Sequence, residues 1–209
     1  MAQFFLIHAE NPQLRLISQV CDLIRAGGVV VLPTDSGYAI GCGLENKKGL
    51  DVIRQIRQLD ENHNFTLLCR DLSEISTYAR IENQTYRLLK ASTPGAYTFI
   101  LEATREVPRR LVHPKRKQIG IRIPDNRIAL ELLRNLGEPL MTSTLVLPGE
   151  DLPMTDPYDI NECLGHQLDV VIDGGFCGFK GTTVVDLTTS VPVVTRFGGG
   201  DSAIFSEHA

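Results

Sequence analysis

The chain has 209 residues, 43% of them hydrophobic and 22% charged, with a formal net charge of −4, a composition ordinary for a soluble globular protein. No apolar stretch approaches the ~20 residues of a membrane helix, and MAQFFLIHAENPQ carries no basic residue before its short apolar run, so it does not read as a secretion signal. Five scattered cysteines (Cys21, Cys42, Cys69, Cys163, Cys177) form no C-x-x-C pair, which argues against a disulfide frame or zinc site and for a reducing compartment, the cytoplasm.

In chain order, Asn11-Pro12 reads as an N-cap with proline at the first helical position. Leu16, Val20, Leu23 and Ile24 follow at helical spacing up to the stop Gly27-Gly28. GVVVLP reads as a buried strand. It breaks at PTDSG and the sequence turns apolar again at once, which fits either a plain turn between strands or backbone opened to hold something small and polar. Residues 47–59 (KKGLDVIRQIRQL) form a second amphipathic helix. FTLLC (65–69) is a short strand, and SEISTYA and NQTYRLLKAS are two more helices. YTFILEA (97–103), QIGIRIP (118–124) and PLMTSTLVL (139–147) alternate or run apolar as strands, and IALELLRNLG (128–137) is an amphipathic helix between the last two. LDVVIDGG, TTVVDLT and PVVTRFG close the chain as three strands. With no internal repeat and no linker, this predicts one α/β domain built on a twisted mixed sheet with helices on its surface.

The charge is uneven. Residues 105–122 hold seven of the 21 Lys and Arg residues against one of the 25 acids, leaving 14 basic and 24 acidic residues elsewhere. A basic patch on an acidic protein is a footprint for phosphate groups, and Pro108 and Pro114 place it on loop-like backbone. Motifs for phosphate-binding loops, dinucleotide folds, zinc proteases and serine hydrolases are absent. His8, His63, His113, His166 and His208 lack metal-ligand spacing and read as structural or surface residues. What remains is five small polar clusters at strand ends: PTDSGY (33–38), PGAYTF (94–99), GIRIPDN (120–126), TST (142–144) and GTTVVD (181–186). Together they point to a shared cleft.

The order and content of these clusters resemble the YrdC/YciO family, which includes the threonylcarbamoyl-adenylate synthases. PTDSGYAIG matches the family's opening strand motif. Pro94, Gly95 and Thr98, then Arg122 with Pro124, TSTLV, DGG, TTVVD and RFG follow in the family's order. The resemblance runs over residues 12–200 and implies a YrdC-like fold of the double-stranded-RNA-binding-protein type, one domain with a concave cleft. It implies substrate and nucleotide contacts at Thr34, Asp35, Ser36, Tyr38, Arg122, Thr142, Thr182, Thr183 and Arg196, with Arg57 and Thr144 nearest the chemistry. The implied small molecules are ATP with magnesium, L-threonine and bicarbonate, condensed to an acyl adenylate used in tRNA modification. No tightly bound cofactor and no protein metal site are implied. The family's association with RNA makes Arg105, Arg109, Arg110, Lys115, Arg116 and Lys117 contacts for double-stranded RNA or tRNA. With 13 aromatics and no Trp, duplex backbone is favoured over stacked single strands.

Two motifs depart from the family. Its K-x-R at the end of the second helix aligns with Arg57 and Leu59, followed by Asp60 in place of proline, and its S-x-N aligns with Thr144-Leu145-Val146. Leu for Arg removes up to five donors and a charge, and Val for Asn removes a donor and an acceptor. A lost donor to transition-state charge costs roughly 10²-fold in rate, so the expected synthase activity is weak at most. Arg54, Lys47 and Lys48 are the cations nearby in sequence. The alternative expectation is a non-catalytic double-stranded-RNA-binding protein.

Overall fold

The computed structural model describes residues 1–60, 63–113 and 115–206. Its strands are β1 (Gln3–Leu6), β2 (Val30–Thr34), β3 (Gly37–Gly43), β4 (Thr66–Leu68), β5 (Tyr97–Glu102), β6 (Gln118–Arg122), β7 (Leu140–Thr144), β8 (Val170–Asp173), β9 (Thr183–Asp186) and β10 (Val193–Arg196). The helices are α1 (Leu14–Arg25), α2 (Lys47–Arg57), α3 (Leu72–Tyr78), α4 (Asn83–Ser92), α5 (Arg127–Leu136), α6 (Pro157–Leu164) and α7 (Ala203–Ser206), with a 3-10 turn at Arg109–Leu111. All ten strands belong to one mixed sheet ordered β1-β8-β2-β3-β7-β4-β6-β5-β9-β10.

The continuous apolar run in β2 has a direct cause. Val30 and Leu32 pack beneath α1 and α5, while Val31 faces a second core under α2, α3, α4 and α6. A strand covered on both faces has no solvent side to keep polar. β2 and β3 form an antiparallel hairpin with Thr34 opposite Gly37. The PTDSG break is therefore a two-residue turn, Asp35-Ser36, closed by Gly37 at φ 100°, a conformation that glycine adopts without steric penalty.

Helix α1 begins later than Asn11-Pro12 predicts. Its N-cap is Gln13, which makes no side-chain cap bond. The amides of Glu10 and Asn11 donate to His8 Nδ1 instead, so Asn11-Pro12 belongs to a turn ahead of the helix. Helix α2 ends at Arg57, because Gln58 turns left-handed at φ 49°. Strands β1 and β3 and helices α6 and α7 add to the expected elements. Pro114 and His208 lie outside the described residues.

Cys21, Cys42, Cys69 and Cys177 are buried free thiols, and Cys163 is exposed. Burial pushes Cys21 and Cys177 up to about 11 and Cys42 up to about 12, which leaves them protonated and unreactive at neutral pH. Among the described residues no helix is long and apolar enough to cross a membrane.

The two faces of the sheet are covered unequally, and this positions the site. Helices α1 and α5 lie over β1, β8 and β2 and reach as far as Leu140 of β7 and Leu68 of β4. Beyond them, among the described residues, β6, β5, β9 and β10 have no helix packed on that face. Alternation then sorts the strands: Phe99, Leu101, Ile119, Ile121 and Val185 point into the core below, and their neighbours Thr98, Ile100, Gly120, Arg122 and Val184 point into open space.

Candidate functional site

That open space is a cavity of about 830 Å3 floored by the uncovered half of the sheet. A row of residues in register forms the floor: Thr142 opposite Thr66, Thr66 opposite Gly120, Gly120 opposite Ile100. Thr142 donates its hydroxyl to the Thr66 carbonyl at 3.0 Å. Four of the five polar clusters contribute side chains to the wall, and the fifth reaches it through an ion pair. Asp35, at the tip of the β2–β3 turn, pairs with Arg122 of β6. Both side chains are sunk, at 15% and 8% exposure. Burial pulls the Arg122 guanidinium below its ordinary pKa, and the Asp35 carboxylate holds it charged against this.

At one end of the cavity, Arg57 leaves the last turn of α2 and donates to the Thr144 carbonyl of β7 at 2.8 Å. Burial lowers its pKa, and its Nε is buried without a partner. His63 lies beside it, with Nε2 3.4 Å from Ser143 Oγ and its ring edge-on to Phe65 at 5.2 Å. Burial, aided by the Arg57 charge, keeps His63 below the usual histidine value, so it is neutral at pH 7. Arg54 sits over the Phe65 ring at 5.7 Å. Lys47 and Lys48 lie at the far end of α2. Leu59 packs against the core, and Val146 is part of the cavity wall.

At the other end, Arg196 donates through Nε to the Thr182 carbonyl (3.1 Å) and through a terminal nitrogen to the Thr182 hydroxyl (2.9 Å). Thr182 in turn shares a 2.9 Å hydrogen bond with Thr98, which ties β10, β9 and β5 into one polar wall. Lys180 and Arg116 also line the cavity. Asp151 is the one carboxylate among the lining residues, against Arg57, Arg116, Arg122, Lys180 and Arg196.

The structure therefore gathers Arg57, Arg122, Thr142, Thr144, Thr182 and Arg196 around one cavity, with Asp35 tied to it. Thr34, Ser36, Tyr38 and Thr183 are placed elsewhere. Thr34 donates to the Gly37 carbonyl at 2.6 Å and accepts from the Ser36 amide, which holds the hairpin turn. Tyr38 is fully buried and donates to the Gly175 carbonyl. Thr183 donates to the Gly200 carbonyl and accepts from the Gly198 amide, so it anchors the segment after β10. In the basic segment, Arg105, Arg109, Lys115, Arg116 and Lys117 are exposed. Arg110 is half-buried and engaged by the Leu44 carbonyl and the Glu45 carboxylate. Ser143, in the TST cluster, lines the cavity as well, and so do His63 and His113, which the sequence reads as structural or surface residues. Thr66 and Lys180 line it without having been singled out; of these two, Thr66 carried a signal, as a polar residue in an apolar strand.

Among the described residues no three His, Cys, Asp or Glu side chains group so as to hold a metal ion. A single α/β domain with a cation-lined cavity on the uncovered half of a ten-stranded mixed sheet is thus defined. The chain belongs to the Sua5/YciO/YrdC family, whose model, described as telomere recombination, matches residues 22–198. It is 55% identical over 201 residues to the uncharacterized protein YciO of Escherichia coli K12, covering 96% of this chain and 98% of that one. The crystal structure of E. coli YciO matches with a TM-score of 0.95 over 98% of this chain and all of that one. The threonylcarbamoyl-AMP synthase of Mus musculus is more distant: 29% identical over 176 residues, 81% of this chain and 61% of the mouse protein. The crystal structure of Pyrococcus abyssi Sua5 complexed with L-threonine shares the fold at 23% identity and a TM-score of 0.86, over 94% of this chain and 58% of that one.

Proposed function

We propose that the cavity binds ATP with its magnesium, that double-stranded RNA or tRNA lies along the exposed basic segment at its rim, and that any threonylcarbamoyl-adenylate synthesis is weak. The observation that carries the reading is the charge of the lining, four cations besides the Asp35-paired Arg122 against the one carboxylate of Asp151, in a cavity of a size suited to a nucleotide. In a partly desolvated site, such cations bind a triphosphate far more strongly than they would in water.

In the proposed reaction, the threonine nitrogen bonds to the bicarbonate carbon as a C–O bond of bicarbonate breaks, and that hydroxyl leaves as water with the proton the amine gives up. The resulting carbamate oxygen attacks the α-phosphorus, and pyrophosphate leaves as the bond to the β-phosphate breaks. Arg57 at one end would hold an acyl anion and Arg196 with Lys180 at the other a polyphosphate, with the hydroxyls of Thr182 and Thr98 beside Arg196. Neutral His63 beside Ser143 can accept the proton that the amine releases. What is missing is a cation at Leu59, which packs into the core, and an amide at Val146, which leaves an apolar patch in the wall. Binding without efficient turnover follows.

The test measures ATP binding by calorimetry and threonylcarbamoyl-adenylate by mass spectrometry on the native chain, Arg57→Ala and Arg196→Ala. The reading expects ATP affinity to fall about tenfold or more in each variant, the loss of a charged hydrogen bond, and trace product that disappears in Arg57→Ala. Wild-type binding of ATP by both variants overturns it. For RNA, log affinity should fall steeply with log salt, and charge reversal at Arg109, Lys115 and Arg116 should weaken duplex binding. No effect of either would remove RNA from the reading.

A further inference from the structure

The basic segment between β5 and β6 is a strap with two sides. Arg116 faces the cavity described above, and His113 forms part of its wall. On the other side of the strap is a second concavity of about 790 Å3, lined by Arg80, Arg105, Arg109 and Lys117, with His113 as the wall common to both. Glu102 is the one acid there, and its carboxylate is taken by Arg80 at 3.0 Å. Three cations therefore converge on one recess without a counter-charge in its lining.

The backbone fixes this arrangement. Lys117 adopts φ 53°, a left-handed conformation uncommon for a lysine. Its amide donates to the His113 carbonyl at 3.0 Å and its carbonyl accepts from Ala103 at 2.9 Å. His113 Nδ1 accepts from the amides of Lys115 and Arg116. These bonds tie Lys115, Arg116 and Lys117 to His113, with Arg116 lining the first cavity and Lys117, adjacent in sequence, lining the second.

We propose that this second concavity is a separate binding site for a compact polyanion with at least two adjacent phosphates. Arg105 and Arg109 would grip the phosphates from the strap, with Lys117 as a third point charge across the recess. The site is distinct from the nucleotide cavity and does not depend on turnover there. Its ligand is either a free polyphosphate or the backbone of a bound nucleic acid, which offer the same chemistry.

The experiment titrates the full-length protein with tripolyphosphate by calorimetry. The protein is compared with Arg105→Glu/Arg109→Glu, whose substitutions are on exposed residues, and with Arg57→Ala/Arg196→Ala. Two classes of site are expected. The charge reversals should weaken one by about tenfold or more, and the cavity variant should weaken the other. Tripolyphosphate binding that the strap variant leaves undisturbed, or no binding at all, overturns the proposal. Failure of ATP to bind the first cavity leaves the strap-dependent class intact and condemns only the nucleotide reading. Repeating the titration in the presence of a 5′-hydroxyl RNA duplex separates the two sources. Competition for the strap-dependent class assigns it to nucleic-acid backbone, and lack of competition to a free polyphosphate.

Discussion

Replacing Asp35 with asparagine would keep the shape of the β2–β3 turn and remove the counter-charge of Arg122. The guanidinium would remain 8% exposed, with its Nε already unpartnered and the positive field of Arg196 already opposing its charge. Breaking a buried pair from one side costs about 3–5 kcal/mol, because the remaining charge stays desolvated and uncompensated. For a domain of this size that is a drop of about 6–20 °C in melting temperature, a large share of the ~5–15 kcal/mol that holds a domain together. The assay is thermal and urea unfolding of Asp35→Asn, Arg122→Met and the double variant. The double variant should lose less than Asp35→Asn alone, since removing both charges removes the uncompensated one. Salt at about 1 M, where the screening length is ~3 Å, should leave the differences in place because the pair is shielded from solvent. A loss under about 1 kcal/mol in Asp35→Asn, or a double variant costing the sum of the singles, would refute the reasoning.

His63, held below the ordinary histidine value of 6.5 by burial and then by Arg57, binds fewer protons folded than unfolded just below that pH. Stability therefore rises with pH through this window and is lost as pH falls through it. His63→Gln should flatten that part of the urea-midpoint-versus-pH curve; an unchanged slope contradicts the assignment. At Gly198, an added Cβ would overlap the Gly181 carbonyl oxygen and the Thr182 carbonyl. Gly198→Ala should accordingly cost about 2–3 kcal/mol in urea unfolding and loosen ATP through Thr182. Full stability would show that the segment simply shifts aside. Leu59→Arg with Val146→Asn should raise threonylcarbamoyl-adenylate production by about 10²-fold, the usual worth of a restored donor. No gain by mass spectrometry would mean that these positions do not limit the rate.

Most of the sheet was legible because alternation survives in one dimension. YTFILE and QIGIR each show their two faces directly, and the polar face turned out to be the cavity floor. Strand β1 was not legible: two exposed and two half-buried residues at a sheet edge carry no clean period. Helix α6 had its signals, Asp156 as a cap and Pro157 at the first position, in a stretch too short for a convincing apolar stripe. Asn11-Pro12 misled because the amides of Glu10 and Asn11 bond to His8 Nδ1 and form a turn ahead of a helix that begins only at Leu14. The cavity's clusters were visible as turn-like polar patches between strands, yet Thr34 and Tyr38 show that a motif can be spent on internal hydrogen bonds. His63 could not have been found, since nothing in the spacing of a lone histidine reveals that a β-strand 80 residues away brings Ser143 beside it.

Strand order also governs how the chain is made. β2 acquires β3 at once through a two-residue turn, but its other edge waits for β8, and the Val29 amide for the Asp169 carboxylate 140 residues later. At about 5–20 residues per second, roughly 7–28 s pass with VVVL open along one side on the ribosome. An unpaired apolar edge of that kind invites pairing with other chains. The nascent protein therefore spends much of its synthesis exposed to holding chaperones and to aggregation, and the polar wall built by β9 and β10 is among the last parts to take shape.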